Sequence, residues 1–234
     1  MKRFCIGLKS RHAIHAPMDD LNEQRDRLVD SLRSRGYVSS PEVISALRRV
    51  PRECFLPDER RGEAYVDTPL PIGEGQTISA PHMVAIMVEN LDLTRGLKVL
   101  EIGAGSGYHA AVCAEVVSPD GHVYTVERIS TLARQAEINL KKAGYSETVT
   151  VVFGDGTNGL PDHAPYDRIF VAAAAPAIPK PLMDQLADDG KMLVPVGGTY
   201  YQDLIKVTRR GKDIRRENLG GCVFVPLIGE HGYR

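Results

Sequence analysis

The chain has 234 residues, 43% of them hydrophobic and 25% charged, with a formal net charge of -1. That length supports one domain with a generous core, and the composition is ordinary for a soluble globular protein. A charge this near neutral argues against a nucleic-acid partner, and the short basic clusters at 209–212 and 215–216 read as solvated hairpin ends.

Cys5, Cys54, Cys113 and Cys222 are scattered, with no CxxC and no Cys/His cluster at ligand spacing, so no metal site is expected. Free thiols in a reducing cytoplasm fit this pattern. The opening MKRFCIGLKSRH carries too short an apolar run for a signal peptide or a membrane span. Residues 1–17 read as a loose extension, because Met18 and the acidic residues after it make a natural helix start.

Residues 19–35 are expected to form a helix, with Leu21, Leu28, Val29 and Leu32 on one face and Gly36 as its stop. Ser40-Pro41-Glu42 opens a second helix through Val50, with proline at the first helical position. Residues 52–75 are rich in proline and glycine and are expected to be irregular. A helix over 80–93 follows, with Met83, Met87, Val88 and Leu91 inward. From Lys98 the pattern alternates. Strands are expected at 98–102, 122–127, 148–153, 166–172 and 191–196, and helices at 108–117, 130–143 (Ser130 as N-cap) and 180–187. Alternation at this spacing means a doubly wound, mostly parallel α/β sheet. Strands at 203–208 and 222–227 with no helix between them add an antiparallel edge. Residues 18–95 thus read as a helical cover and 96–234 as the core of one domain.

Val99-Leu-Glu-Ile-Gly-Ala-Gly-Ser-Gly107 places Gly103, Gly105 and Gly107 between a buried strand and a helix. There the backbone can approach a cofactor at the carboxyl edge of the sheet. The spacing is GxGxG, not the longer dinucleotide fingerprint. With Glu101 inside the strand, the turn suits a cofactor that has a cationic end and no phosphates, such as S-adenosylmethionine. Glu127, ending the second strand, is placed to accept from two ribose hydroxyls. After the third strand, Asp155 is placed to accept from the adenine amino group and the Gly156 N–H to donate to the ring.

The run Gly73-Glu-Gly-Gln-Thr-Ile-Ser-Ala-Pro-His-Met83 carries the most specific signal. Together with Glu101–Gly107, Gly154–Gly156, Ala173–Pro176, Leu193–Gly197 and Phe224–Leu227, it closely resembles the protein-L-isoaspartate O-methyltransferase family over residues 19–233. The resemblance implies a Rossmann-like methyltransferase core that binds S-adenosylmethionine and esterifies the free carboxylate of L-isoaspartyl residues in damaged proteins. It gives Ser79 the active-site role and puts Thr77 and Ile78 in the same pocket. Glu101, Gly103, Gly105, Gly107, Glu127, Asp155 and Gly156 stand at the family's cofactor positions. Glu101 and Glu127 stand where some members carry aspartate, and Val84 where some carry histidine. Val225, Pro226 and Leu227 are expected to hold the substrate peptide. The expected working form is a cytoplasmic monomer.

That chemistry asks little of side chains. A substrate carboxylate has a pKa of about 4 and is already an anion at neutral pH. It needs orientation and desolvation, not a general base. His82 is better explained by the start of a helix than by chemistry. Tyr108 and His109 read equally as surface or as pocket lining. A methyltransferase acting on a small molecule or RNA would keep the glycine turn but has no reason to carry Gln76–Met83. A non-catalytic cofactor sensor would tolerate loss of Ser79, which is present.

Overall fold

The computed structural model describes residues 18–234; the expected extension at 1–17, with Cys5, lies outside the described residues. The chain opens with α1 (Met18–Ser34) and α2 (Pro41–Arg49). Leu21, Val29 and Leu32 of α1 are buried, as the spacing requires. Arg48 of α2 reaches Asp26 and Asp30 of α1, so the pair is also held by charge along its rim. The stretch expected to be irregular contains two 3-10 turns, Arg52–Phe55 and Asp58–Glu63. It ends in an antiparallel ribbon of β1 (Leu70–Gly73) and β2 (Gln76–Ile78). Strands of four and three residues are too short to display a period of two. Their turn relies on Gly73 and Gly75, at φ 95° and 68°. Helix α3 (Pro81–Asn90) follows.

The core comprises β3 (Lys98–Ile102), α4 (Tyr108–Val117), β4 (His122–Glu127), α5 (Ser130–Ala143), β5 (Val149–Phe153), β6 (Tyr166–Val171), α6 (Lys180–Gln185), β7 (Leu186–Gly197), β8 (Gln202–Arg210) and β9 (Asp213–Cys222). The sheet order is β5-β4-β3-β6-β7-β8-β9. The first five strands are parallel, and β8 and β9 are antiparallel. This is the doubly wound, mostly parallel sheet with antiparallel C-terminal strands that the alternation predicts. Strand order reverses between β3 and β6, which opens a crevice at their carboxyl ends.

Alternate residues feed two cores. Val99, Phe170 and Leu193 face the helical cover, while Leu100, Ile102, Ile169, Val171 and Met192 face the other side. Helix α4 is buried on all sides, because α2 and α3 pack over the surface it turns from the sheet. Its sequence, apolar all round, requires this.

Three expectations are corrected. Ser130 is the first helical residue of α5 and not its N-cap; Ile129 holds that position, its N–H donating to Glu127 Oε1 at 3.0 Å. Strand β7 begins at Leu186, because pairing with β6 resumes at once and ends α6 early at Gln185. The last strand is Asp213–Cys222 and not 222–227. Past Cys222 the chain leaves β8 and crosses to the segment that follows β6, where Ala174 N donates to Val225 O and Leu227 N to Ala174 O, both at 2.8 Å. Residues 224–228 form a strap across the sheet's carboxyl edge.

Gln202 secures this strap. Fully buried, it accepts from Phe224 N at 2.8 Å and donates to Gly198 O at 2.6 Å. Replacing it with leucine leaves two backbone groups unpaired and costs about 1–3 kcal/mol. Urea unfolding reads this directly, and an unchanged midpoint would show that the strap is held by packing instead.

Candidate active site

At the β3/β6 switch point lies a cleft partly open to solvent. Its floor is the turn after β3. Gly103, Gly105 and Gly107 have φ of 95°, 53° and 89°, conformations that other residues adopt only with strain. Gly103 N donates to Val126 O at 2.8 Å, tying the turn to β4. Asn139 of α5 donates to Ser106 O at 2.9 Å from the opposite side.

Two carboxylates face the cleft. Glu127 Oε2 accepts from Gly105 N at 2.9 Å and Oε1 from Ile129 N. The carboxylate is thereby fixed in orientation, and each oxygen keeps a lone pair for a further donor. Glu101 is fully buried. Its Oε2 accepts from Thr125 Oγ1 at 2.6 Å, while Oε1 has no partner. Burial pushes its pKa up from 4.5 to about 8, against the pull of the Thr125 bond, and the charge of Glu127 adds to the rise. An orphaned carboxylate oxygen in a closed floor calls for a cationic donor such as an ammonium group, and Glu127 fits a pair of hydroxyls. The residues present therefore suit the amino acid and ribose parts of S-adenosylmethionine.

The structure brings most of the sequence-derived positions to this cleft. Thr77, Ile78 and Ser79 enter from β2 and its exit, Gly156 from beyond β5, and Val225, Pro226 and Leu227 from the strap. A side chain at Gly156 would collide with Ile102, so only glycine lets this backbone approach. Asp155 behaves differently. Its carboxylate accepts from Thr157 N and Oγ1 at 2.9 and 2.7 Å and from Glu230 N at 2.8 Å, and it is not among the lining residues. Partial burial pulls its pKa up, but these hydrogen bonds outweigh that and hold it below the usual carboxylate range. The strap is narrower than a free strand as a peptide edge. Val225 C=O and Leu227 N–H are taken by Ala174, and Pro226 has no N–H.

Other lining residues were undecided or unseen in the sequence. Val84, Tyr108 and His109 all line the cleft. His109 is buried with both ring nitrogens unpartnered, and burial, helped by the charge of Arg52, lowers its pKa to about 3. It is neutral at working pH. Thr125 and Asn139 support the site without carrying a motif signal. His82 sits at the start of α3, where Asp67 Oδ1 accepts from its backbone N at 2.9 Å and lies 2.8 Å from Nδ1. That is the helix-start role.

A cleft built for a cation and a ribose, reached by a glycine turn without the dinucleotide spacing, separates this sheet from the oxidoreductases that share its winding. The class it defines is the Rossmann-like S-adenosylmethionine-dependent methyltransferases. Within that class, residues 23–232 match the family model described as protein-L-isoaspartate(D-aspartate) O-methyltransferase, and the chain belongs to that family. The protein-L-isoaspartate O-methyltransferase of Hyperthermus butylicus is 59% identical over 221 residues, covering 91% of each chain. That of Methanopyrus kandleri is 58% identical over 212 residues, covering 90% of this chain and 93% of its own. Among solved structures, one protein-L-isoaspartate O-methyltransferase superposes with TM-score 0.80 at 31% identity, over 89% of this chain and 67% of its own. A Plasmodium falciparum chain described as the same enzyme, in complex with S-adenosyl-L-homocysteine, gives TM-score 0.76 at 26% identity, over 87% of this chain and 98% of its own.

Glu101 makes stability depend on pH. Its carboxyl stays protonated in the folded chain while the unfolded chain ionises. Its stabilising contribution is full below about pH 4.5 and is lost as pH rises to about 8. In Glu101→Gln this loss should disappear from melting temperatures taken across that window, and S-adenosylmethionine should bind more weakly. A variant with the same pH slope as the parent would place the titration on another group.

Proposed function

We propose that this chain transfers a methyl group from S-adenosylmethionine to the free α-carboxylate of L-isoaspartyl residues in damaged proteins and peptides. The methyl ester closes to a succinimide, and hydrolysis returns part of the chain to normal aspartyl linkage. Membership of the family carries this reading, and the unpartnered oxygen of Glu101 beside the oriented Glu127 is the observation in the site that supports it.

S-adenosylmethionine supplies an electrophilic methyl group on a neutral leaving group. Glu101, Glu127, Thr77, Ile78, the glycine turn and Gly156 would hold it, with Asp155 fixing the Gly156 loop through Thr157. Ser79, half-buried and lining the cleft, would donate to one carboxylate oxygen and leave the other to attack. Val225, Pro226 and Leu227 would line the peptide side. Neutral His109 cannot compete for the site as a cation. Alignment of oxygen, methyl and sulfur can supply on the order of 7–11 kcal/mol. No side chain has to remove a proton.

Residues 18–95 act in this reading as a cover over the core of one domain, and the working form is a cytoplasmic monomer with no nucleic-acid or membrane partner. Among the described residues no helix is long and apolar enough to cross a membrane, and the net charge of -1 fits an unselective protein substrate better than a polyanion.

The test is methyl transfer from labelled S-adenosylmethionine to two peptides, identical except for L-isoaspartate or L-aspartate at one position. Only the isoaspartyl peptide should be labelled. Ser79→Ala should lower kcat/KM by about 10–100-fold, by loss of an orienting donor, with donor affinity retained. Glu127→Ala should instead raise the KM for S-adenosylmethionine. Labelling of neither peptide by a chain that binds the donor would mean a different acceptor.

A further inference from the structure

Arg52 is fully buried, yet its hydrogen bonds go to carbonyls and not to a counter-ion. Nε donates to Ala64 O and Nη2 to Ser79 O, both at 2.9 Å, and Nη1 has no partner. Its guanidinium carbon lies 4.9 Å from the Tyr108 ring centroid. The nearby carboxylates are engaged elsewhere: Asp67 with His82 and Arg35, Glu53 with the Tyr65 hydroxyl. Burial pulls the Arg52 pKa down, but from a value so high that the group stays a cation. Burying a charge without a counter-ion is costly, and a methionine would fill much of the same space without that cost.

The groups this cation touches identify where its field acts. Ser79, Tyr108 and His109 all line the cleft, and Arg52 stands directly behind them. An isoaspartyl carboxylate at Ser79 enters a cleft that already holds Glu101 and Glu127. Desolvation and the Glu127 carboxylate both raise its pKa. A protonated carboxyl has lost the charge that makes it a nucleophile.

Resting on the methyl-transfer reading above, we infer that Arg52 is a positioning residue for the acceptor: through the Ser79 carbonyl and across the Tyr108 ring, its charge keeps the incoming carboxylate ionised and bound. Arg52 gives and takes no proton. The carboxylate oxygen forms the new bond to the methyl carbon, the carbon–sulfur bond breaks, and its electron pair stays on sulfur. A positive field stabilises the anion before reaction more than in the transition state, where charge is being neutralised. Its loss should therefore appear in acceptor binding and in the acid limb of the pH profile, with little change in kcat. The other titratable or charged groups around Arg52 are Tyr108, His109, Tyr65, Asp67 and Glu53, with Arg25 beyond Tyr65. Burial raises the pKa of Tyr108 and Tyr65 and lowers that of His109, and Asp67, despite partial burial, is held below the usual carboxylate range by its bonds to His82, so these four keep their charge between pH 5 and 8.

The test measures kcat and KM for an isoaspartyl peptide and for S-adenosylmethionine, from pH 5 to 8, in the full chain and in Arg52→Met and Arg52→Lys. In Arg52→Met the peptide KM should rise about tenfold and the acid limb of kcat/KM should move up by about one pH unit. The affinity for S-adenosylmethionine, read by calorimetry, should stay within about threefold, which also shows that the variant is folded. Arg52→Lys should restore the limb. An unmoved limb and unchanged peptide KM in a folded Arg52→Met would overturn the inference. If Arg52→Met does not bind the donor, Arg52→Lys decides alone: a limb at the parental pH supports the role of charge, and a limb displaced despite the retained charge overturns it. Failure of the parent chain to methylate the peptide would sink the functional reading itself.

Discussion

A buried carboxyl group with one oxygen left unpaired sets the terms for the rest of this molecule. Glu101 sits near the carboxyl end of the central strand, with Thr125 on one oxygen and nothing on the other. Such a group is uncommon in a folded protein and fits a site that a cationic ligand completes. The surrounding devices follow from that need. The glycine turn lets backbone come close, Glu127 is oriented by Gly105 and Ile129, and Asn139 fixes the turn from α5. Ser79, whose carbonyl accepts from buried Arg52, lines the same cleft. In the function proposed above, the cationic end of the donor meets Glu101 and Glu127, and the acceptor carboxylate meets Ser79.

The helical cover is part of this arrangement. Helix α4 begins at the glycine turn and is buried by the segments that precede the sheet in sequence. Those same segments deliver Arg52, Ser79 and Val84. Packing of α2 and α3 over α4 thus covers the core, and the same part of the chain supplies the Ser79 side of the cleft.

Much of this was legible in the sequence where the local signal and the final environment agree. The strands Lys98–Ile102 and His122–Glu127 and the helix Tyr108–Val117 have the bounds that periodicity gives, because each is a regular element between unambiguous turn residues. The motif run from Gln76 placed Thr77, Ile78 and Ser79 at the cleft. What escaped depends on tertiary contact. The ribbon at 70–78 is too short to show a pattern. The segment after Cys222 looked like a strand because its residues are β-formers, yet Ala174 and Gln202 draw it across the sheet as a strap. The bond from Glu230 N to the Asp155 carboxylate joins residues far apart in sequence and had no local signal. Arg52 carried no signal at all, since an arginine in a proline-rich stretch reads as surface until its burial is known.

The strap also bears on how the molecule comes into being. Residues 225–228 follow every strand of the sheet in sequence, and the wall they form is fixed by Gln202, by Ala174 and by Tyr233, which folds back to Leu227 and Gly197. The strap's contacts to Ala174, Gly197 and Gln202 therefore need β6, β7 and β8 to be paired already, whereas no ladder of the sheet needs the strap. The last wall of the cleft is added to a finished sheet, and a shift of the strap alone would reshape the cleft without breaking a strand pairing.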